Sequence, residues 1–216
     1  PTNRRQRQMC IRDSCYTISF SLSRNKIRFI LSANRNSMER FIVFTGGPGS
    51  GKTSVIEHLQ NLGYKTADEV GRRVIQLQVE SGGNALPWLD KTAFRDAMVS
   101  AEIDKYRRIG VGEEFVFFDR SIVDSYSYSL LEDLALTEYL TQHCNQLRHH
   151  LQVFVFPPWK EIFANDAERK QDFAEAVATY EKMREAYQLF GYTLTEVPKG
   201  SIEQRSRFVL DALSSR

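Results

Sequence analysis

A chain of 216 residues, of which 42% are hydrophobic and 26% charged, has the composition of one globular domain with a buried core. This balance excludes a chain too polar to fold, and the lack of any run of about 18 apolar residues excludes a membrane span. The formal net charge of +2 combines +7 in residues 1–37 with −5 in the remainder, so the body offers no electrostatic case for binding nucleic acid.

Residues 1–37 form a separate segment ahead of Met38, which we interpret as the natural start of the protein. The segment is rich in Arg and Ser, and it contains no motif that the rest of the chain requires. It is either a non-native or disordered extension or an organellar transit peptide, because such leaders are Arg-rich and poor in acidic residues. We therefore expect residues 38–216 to comprise the folded domain.

The number and spacing of the cysteines and histidines predict no metal site formed by these residues. Cys10, Cys15 and Cys144 are odd in number and lack the spacing of metal ligands, which indicates reduced thiols in a cytoplasmic protein. The four histidines show no ligand spacing either.

From Met38 onward, strands and helices are predicted to alternate. Apolar runs predict strands over residues 41–45, 115–118 and 153–156, and we assign two further strands to residues 64–67 and 192–197. Helical periodicity predicts helices over residues 52–62, 70–79, 90–110, 122–131, 134–147, 168–190 and 202–213. Asn165 and Glu168 have the spacing of a capping box for the sixth of these helices. The order predicts an α/β P-loop NTPase fold with a mainly parallel five-stranded sheet and helices on both faces.

The stretch GGPGSGKT, residues 46–53, matches the phosphate-binding pattern G-x-x-x-x-G-K-[ST] between a predicted strand and a predicted helix. Its glycines can adopt backbone angles closed to other residues, so successive N–H groups can turn toward phosphate oxygens at the helix N-terminus. We expect Lys52 to reach the β- and γ-phosphates of ATP and Thr53 to bind the bridging Mg²⁺. The predicted contacts of the phosphates are Gly46, Gly47, Pro48, Gly49, Ser50, Gly51, Lys52, Thr53 and Ser54.

A carboxylate and an arginine follow the third predicted strand. Asp119 ends this strand, where a nucleotide-binding protein of this kind needs a carboxylate to hold Mg²⁺, usually through water. Arg120 comes next, and FFDRSIVDSY resembles the Asp-Arg motif of nucleoside and nucleotide kinases, which implies that Arg120 clamps an acceptor or a phosphate. A structural salt bridge is the alternative for Arg120.

Acidic residues also follow the second predicted strand. Asp68 and Glu69 occupy the position where small-molecule kinases place the carboxylate that accepts the proton of the acceptor hydroxyl. We select Glu69 as this base, with Arg72 and Arg73 one turn further on as possible anion contacts. The alternative is the charged start of a helix.

Basic residues after the fourth predicted strand lie where this class of protein carries a lid over the phosphates. The candidates are Lys160, Arg169 and Lys170, and Arg169 is expected to stabilise charge in the transition state. A solvated helix face is the alternative interpretation of Arg169.

The sequence gives weaker signals for the pocket that would hold the nucleotide base. Val197 and Pro198 follow the fifth predicted strand, a position from which they are expected to wall the base pocket. Trp88 and Trp159 are interpreted as packing residues rather than as partners that stack on a base.

Several stretches together resemble the predicted-ATPase family of AAA-type P-loop domains related to nicotinamide riboside kinase. They are FIVFTGGPGSGKTS, ADEVGRRVI, FFDRSIVDS, FPPWKEIFANDAERKQDFAEAV and GYTLTEVPKGSIEQR, and the resemblance covers roughly residues 39–213. The resemblance implies ATP and Mg²⁺ binding and a kinase-like core, and some relatives are trafficking factors that bind GTP and phosphoinositides.

Two classes of function follow. The first is an ATPase or kinase acting on an unidentified small molecule, favoured by Glu69, by the pair Asp119 and Arg120, and by the basic lid. The second is a nucleotide-dependent binding switch with slow turnover. The guanine-specific Asn-Lys-x-Asp motif is absent from the sequence, which disfavours a GTPase switch.

Overall fold

The computed structural model describes residues 39–109, 114–163 and 172–214, which form alternating strands and helices. The elements in chain order are β1 (Phe41–Thr45), α1 (Lys52–Asn61), β2 (Lys65–Ala67), α2 (Val70–Ser81), α3 (Lys91–Ile109), β3 (Val116–Asp119), α4 (Ile122–Leu131), α5 (Glu138–Gln146), β4 (Gln152–Val155), α6 (Phe173–Leu189), β5 (Thr193–Glu196) and α7 (Ile202–Ser214).

The strands form one parallel sheet in the order β2-β3-β1-β4-β5. Strand β1 is central, and it pairs with β3 on one side and with β4 on the other. All the carboxyl ends therefore lie at one edge of the sheet, which is where ligands bind in sheets of this type. The predicted fold class is confirmed.

Alternating side chains of β1 point to opposite faces of the sheet, and helices cover both faces. Ile42 and Phe44 pack in a core with residues of α1 and α7. Phe41 and Val43 pack in a second core with residues of α3, α4, α5 and α6. Because both faces of the three inner strands are buried, β1, β3 and β4 are buried along their whole length, whereas the edge strands β2 and β5 are partly exposed.

Two helices begin later than their sequence patterns suggest. Helix α6 begins at Phe173, because Asp172 accepts a hydrogen bond from the Glu175 amide at 2.8 Å and Glu175 accepts one from the Asp172 amide at 2.7 Å. The predicted capping box of Asn165 and Glu168 lies outside the described residues. Helix α5 begins at Glu138 rather than near residue 134, because the Thr137 hydroxyl accepts a hydrogen bond from the Leu140 amide at 3.2 Å.

Residues 1–37, which we assigned to an extension, also lie outside the described part of the chain. Within that part, no helix has the length and apolar character that crossing a membrane requires.

Candidate functional site

The loop between β1 and α1 depends on its glycines for its shape. Gly46 has φ of 134°, and a Cβ atom there would lie 2.4 Å from the carbonyl oxygen of Phe156. Gly51 has φ of 75° and is the N-cap residue of α1. A side chain is strained at both positions, so the close approach of the loop to β4 and its entry into the helix both depend on glycine.

The Lys52 side chain is buried against this loop. Its Nζ atom donates hydrogen bonds to the carbonyl oxygens of Gly46 and Gly47, at 2.9 and 3.0 Å, and to the Ser50 hydroxyl at 3.3 Å. The ammonium group therefore lies at the N-terminal end of α1, where the helix dipole adds partial positive charge. An anion at this loop would meet both positive charges.

A cavity of about 590 Å³ opens beside the loop, and we call it the loop cavity. Its lining includes three cationic side chains, those of Lys52, Arg72 and Arg205, and the exposed Thr53 at the start of α1. The full lining is Pro48, Gly49, Ser50, Gly51, Lys52, Thr53, Ser54, Glu69, Arg72, Trp159, Ile162, Gly200, Ser201, Ile202, Glu203 and Arg205.

Arg205 of α7 supports the loop from the far end of the chain. Its Nη2 atom donates a hydrogen bond to the Ser50 carbonyl at 2.7 Å, and its Nη1 atom donates one to the Gly51 carbonyl at 3.4 Å. The guanidinium carbon lies 4.8 Å from the ring centroid of Phe156 and 5.5 Å from that of Trp159, within the range of cation–π attraction. Sequence reasoning missed Arg205, because no local motif marks it.

Asp119 is buried at the carboxyl end of β3, beside β1, and its Oδ1 atom has no hydrogen-bond partner. Burial and the neighbouring Glu69 raise the pKa of this carboxyl group, although Lys52, Arg120 and Lys105 act in the opposite direction. A buried oxygen without a partner is costly, and a divalent cation with its water shell would satisfy it. The donor set of Asp119 and the Thr53 hydroxyl, oxygen atoms only, is the kind that Mg²⁺ takes.

Arg120 connects two carboxylates. Its Nε atom donates a hydrogen bond to Glu69 Oε1 at 2.8 Å, and its Nη1 atom donates one to Asp124 Oδ1 at 3.2 Å. Burial alone would lower the pKa of Arg120, but the carboxylates of Glu69, Asp124 and Asp119 raise it overall. Its backbone has φ of 65°, a left-handed conformation that is unfavourable for arginine and that the surrounding contacts maintain.

Asp124 holds this arrangement in place, although no sequence argument selected it as a site residue. Its Oδ1 atom accepts a hydrogen bond from the Thr45 hydroxyl at 2.7 Å, and its Oδ2 atom accepts one from the Ser121 amide at 2.9 Å and one from the Tyr187 hydroxyl at 2.5 Å. Ser121 and Asp124 also form the capping box of α4. The capping-box spacing in DRSIVD was the available signal.

Lys105 of α3 joins the carboxyl ends of β2 and β3 and was likewise not predicted. Its Nζ atom donates hydrogen bonds to the carbonyl oxygens of Asp68, Asp119 and Arg120 at 3.1 to 3.2 Å, and to Glu102 Oε1 at 3.0 Å. Burial raises the pKa of Glu102 to about 7, against the opposing effect of Lys105. On a helix, the pair resembles an ordinary solvated i,i+3 contact, so the sequence carries no signal of its burial.

A second cavity of about 320 Å³ adjoins the first, and we call it the adjoining cavity. Both cavities are lined by Pro48 and Glu69, so they meet at these two residues, of which Glu69 carries a carboxylate. The adjoining cavity is lined by Pro48, Glu69, Val70, Gly71, Ile75, Pro87, Trp88, Phe94, Met98, Glu102, Arg120, Ser121, Asp124, Ser125, Ser127, Tyr128, Leu131, Glu132, Glu175, Thr179 and Met183.

Val197 and Pro198, which were predicted to wall the base pocket, lie elsewhere. Val197 is fully buried in the core, where its amide donates to the Val155 carbonyl at 2.9 Å, and Pro198 is exposed. Among the described residues, the connection from β5 to α7 lines the loop cavity through Gly200 and Ser201 instead.

Of the tryptophan and lid residues that follow β4, the structure describes Trp159 and Lys160. Trp159, interpreted as a packing residue, contributes to the lining of the loop cavity, and Lys160 is exposed. Arg169 and Lys170 lie outside the described residues.

Comparison with known proteins identifies one family. A family model described as "AAA domain" matches residues 41–205. No curated protein sequence matches this chain.

Solved structures of kinases share the fold. A deoxyadenosine kinase from M. mycoides has a TM-score of 0.61 at 13% identity, covering 81% of this chain and 99% of the kinase chain. The NadR protein in complex with NR has a TM-score of 0.61 at 16% identity, covering 83% of this chain but 52% of NadR, so this chain spans about half of that protein. A thymidylate kinase from Candida albicans has a TM-score of 0.52 at 13% identity, covering 82% and 92% of the two chains. At these identities the similarity establishes a P-loop kinase-like fold.

Proposed function

The chain belongs to the AAA domain family of P-loop NTPases, as its sequence resemblance predicted, and we propose that it transfers the γ-phosphoryl group of ATP to a hydroxyl group of a small molecule. One observation carries this proposal. Two cavities of different character meet at a single carboxylate, Glu69, beside the phosphate-binding loop. A hydrolase needs only a nucleotide and water, whereas a second cavity suits an acceptor.

In this proposal the loop cavity holds ATP. The loop amides and Lys52 bind the β- and γ-phosphates, which orients the triphosphate toward Glu69. Thr53 and Asp119 hold Mg²⁺, which supplies charge neutralisation of the phosphate oxygens when bound. The Arg205 guanidinium keeps the loop and Trp159 in place, and the half-buried Trp159, which lines the loop cavity, stacks on the base.

The acceptor occupies the adjoining cavity with its hydroxyl group at Glu69. The hydroxyl oxygen forms a bond to the γ-phosphorus, the bond from that phosphorus to the β–γ bridging oxygen breaks, and ADP leaves. The hydroxyl proton passes to the Glu69 carboxylate, which Arg120 orients through the 2.8 Å hydrogen bond. Arg169, outside the described residues, is the candidate to close over the phosphates and stabilise their charge.

The direct test measures ATP consumption and phosphorylated product with and without a panel of hydroxyl compounds. We expect slow basal hydrolysis that an acceptor accelerates strongly. Glu69→Gln should remove most of that acceleration and spare ATP binding, and Arg169→Ala should lower turnover more than affinity. Glu138→Gln, an exposed change on α5, is the matched control for Glu69.

The binding-switch alternative makes the opposite prediction. If no compound is phosphorylated, if Glu69→Gln leaves slow hydrolysis unchanged, and if a partner binds only the nucleotide-loaded form, the kinase proposal is wrong.

A further inference from the structure

The side chains that line the adjoining cavity carry more acidic than basic groups. Among the described residues that line it, Arg120 is the one cation, and its guanidinium group already donates hydrogen bonds to Glu69 and Asp124. The acidic residues that line it are Glu69, Glu102, Asp124, Glu132 and Glu175, of which Glu102 forms an ion pair with Lys105 and Glu132 one with Lys91, two cations outside the lining. An anion entering this cavity would face like charges in a partly enclosed space, which weakens its binding.

The rest of the lining is largely apolar. Ile75 and Phe94 are buried in a core cluster beneath the cavity, and Met98 and Tyr128 pack against that cluster. The rings of Phe94 and Tyr128 meet edge to face with centroids 5.6 Å apart. Met183 contributes a flexible thioether from α6. Such surfaces suit a flat or apolar body, because aromatic and thioether side chains contact rings well.

One polar atom inside this apolar lining has no partner. The hydroxyl group of Tyr128 is buried and makes no hydrogen bond within the described structure. Burial, with a contribution from Glu132, raises the pKa of Tyr128, so the hydroxyl keeps its proton and remains a donor. Native proteins rarely leave such a group unsatisfied unless a ligand or water completes it. A polar atom of a bound acceptor would serve as that partner.

We infer that the acceptor is an uncharged or cationic hydroxyl compound with a flat apolar body, which hydrogen-bonds the Tyr128 hydroxyl, and that it is neither a phosphate monoester nor a carboxylic acid. This inference rests on the proposed function, because it takes the adjoining cavity as the acceptor site. It adds to the proposed function the charge class of the acceptor and one specificity-determining residue, Tyr128.

Matched compounds that differ in charge test the first part. Adenosine, cytidine, thymidine and the cationic 1-methyladenosine are compared with their 5′-monophosphates by equilibrium dialysis against the full chain, and ATP consumption is measured in parallel. We expect at least one uncharged or cationic compound to bind at least tenfold more tightly than its monophosphate. Tighter binding of the monophosphates, or no binding by either class, would overturn the inference. Charge-selective binding without any ATP consumption would instead overturn the proposed function.

The Tyr128→Phe variant tests the second part, because it separates a ligand contact from a structural one. An unpartnered hydroxyl contributes no internal hydrogen bond, so its removal should leave the melting temperature unchanged or raise it. Affinity for the acceptor should fall about tenfold, the usual effect of leaving a ligand's hydrogen bond unmade. Tyr126→Phe, on the same helix but packed against Phe190, is the matched control. Equal acceptor affinity in Tyr128→Phe and the parent would show that Tyr128 is not the contact.

Discussion

The two cavities that meet at Glu69 are built in different ways. The loop cavity takes seven of its lining residues from one uninterrupted stretch, residues 48–54, and carries three cationic side chains. The adjoining cavity collects side chains from α2, α3, α4 and α6 and carries one cation against five carboxylates. A short local motif suffices to bind a phosphate chain, whose shape and charge are the same in every nucleotide. Selecting one acceptor needs side chains from many elements.

The largest expected effect comes from removing Lys52, one of the three cations of the loop cavity. Lys52→Ala should weaken ATP binding roughly a hundredfold or more, because charged hydrogen bonds to phosphate are lost. Acceptor binding in the adjoining cavity should be unaffected, and calorimetric titration with each ligand measures both. Lys182→Ala, a change on α6 at a half-buried lysine that pairs with Glu185, is the control, and circular dichroism verifies that the variant folds. Unchanged ATP affinity in a folded Lys52→Ala protein would contradict the role of Lys52.

Asp119→Asn tests the metal site of the loop cavity. The neutral amide keeps the shape of the side chain but holds a water-coordinated cation poorly, so Mg²⁺-dependent turnover should fall about a hundredfold. Nucleotide binding measured without the metal should persist. Asp104→Asn, exposed on α3, serves as the control. Equal turnover at every Mg²⁺ concentration would remove Asp119 from the site.

The two tryptophans of the chain sharpen the comparison, because each lines a different cavity. Trp159→Ala should raise the Kd for ATP about tenfold, the scale of losing one stacked base, with little change for inorganic triphosphate. Trp88→Ala should leave ATP affinity intact, since Trp88 lines the adjoining cavity and is 57% exposed. Fluorescence titration of single-tryptophan variants reports each cavity separately. An ATP-dependent signal from Trp88 alone would reverse this assignment.

An effect on stability rather than on binding should appear in the pH dependence of unfolding. Glu102 binds a proton more tightly in the folded state, with a pKa of about 7 against an ordinary value of 4.5, while Lys105, Asp119 and Asp124 face it. Folding is therefore favoured at low pH, and the free energy of unfolding should fall by up to about 3 kcal/mol as pH rises from 4.5 to 7.

Glu102→Gln cannot titrate, so its stability should decline less than that of the parent over this range. Urea denaturation at pH 5 and pH 8 measures the difference, with Glu138→Gln as control. Parallel pH profiles for parent and Glu102→Gln would show that burial does not shift this carboxyl group.

The smallest effect is expected outside both cavities. Deleting residues 1–37 should leave the melting temperature and the affinity for ATP unchanged, because no sequence motif or periodic core face requires them. Thermal denaturation with and without ATP checks this. A large drop in the melting temperature would make the segment part of the fold.

Local patterns predicted most of the fold and the whole loop. The apolar runs located β1, β3 and β4, and the glycine-rich motif between β1 and α1 located the loop, since both signals are carried by neighbouring residues. Glu69, Asp119 and Arg120 could also be selected, because the carboxyl ends of parallel strands share one edge. The structure brings Glu69 and Arg120 into contact.

The prediction of the base pocket depended on chain position alone, and it was less successful. Val197 was expected at the base pocket because it follows a strand at the ligand edge. A shift of one residue along a strand reverses the face to which a side chain points, and Val197 points into the core.

The sequence by itself therefore determined the class of fold and the position of the loop that we propose binds phosphate, because both follow from residues within one turn or one strand of each other. Only the tertiary structure brought Arg205 to Ser50, Lys105 to the ends of two strands, and Tyr128 into an apolar cavity. These contacts join residues far apart in the chain, and each side chain alone resembles an ordinary surface charge or core ring. Packing decides which of them becomes part of a site, because burial removes the water that would otherwise satisfy or screen it.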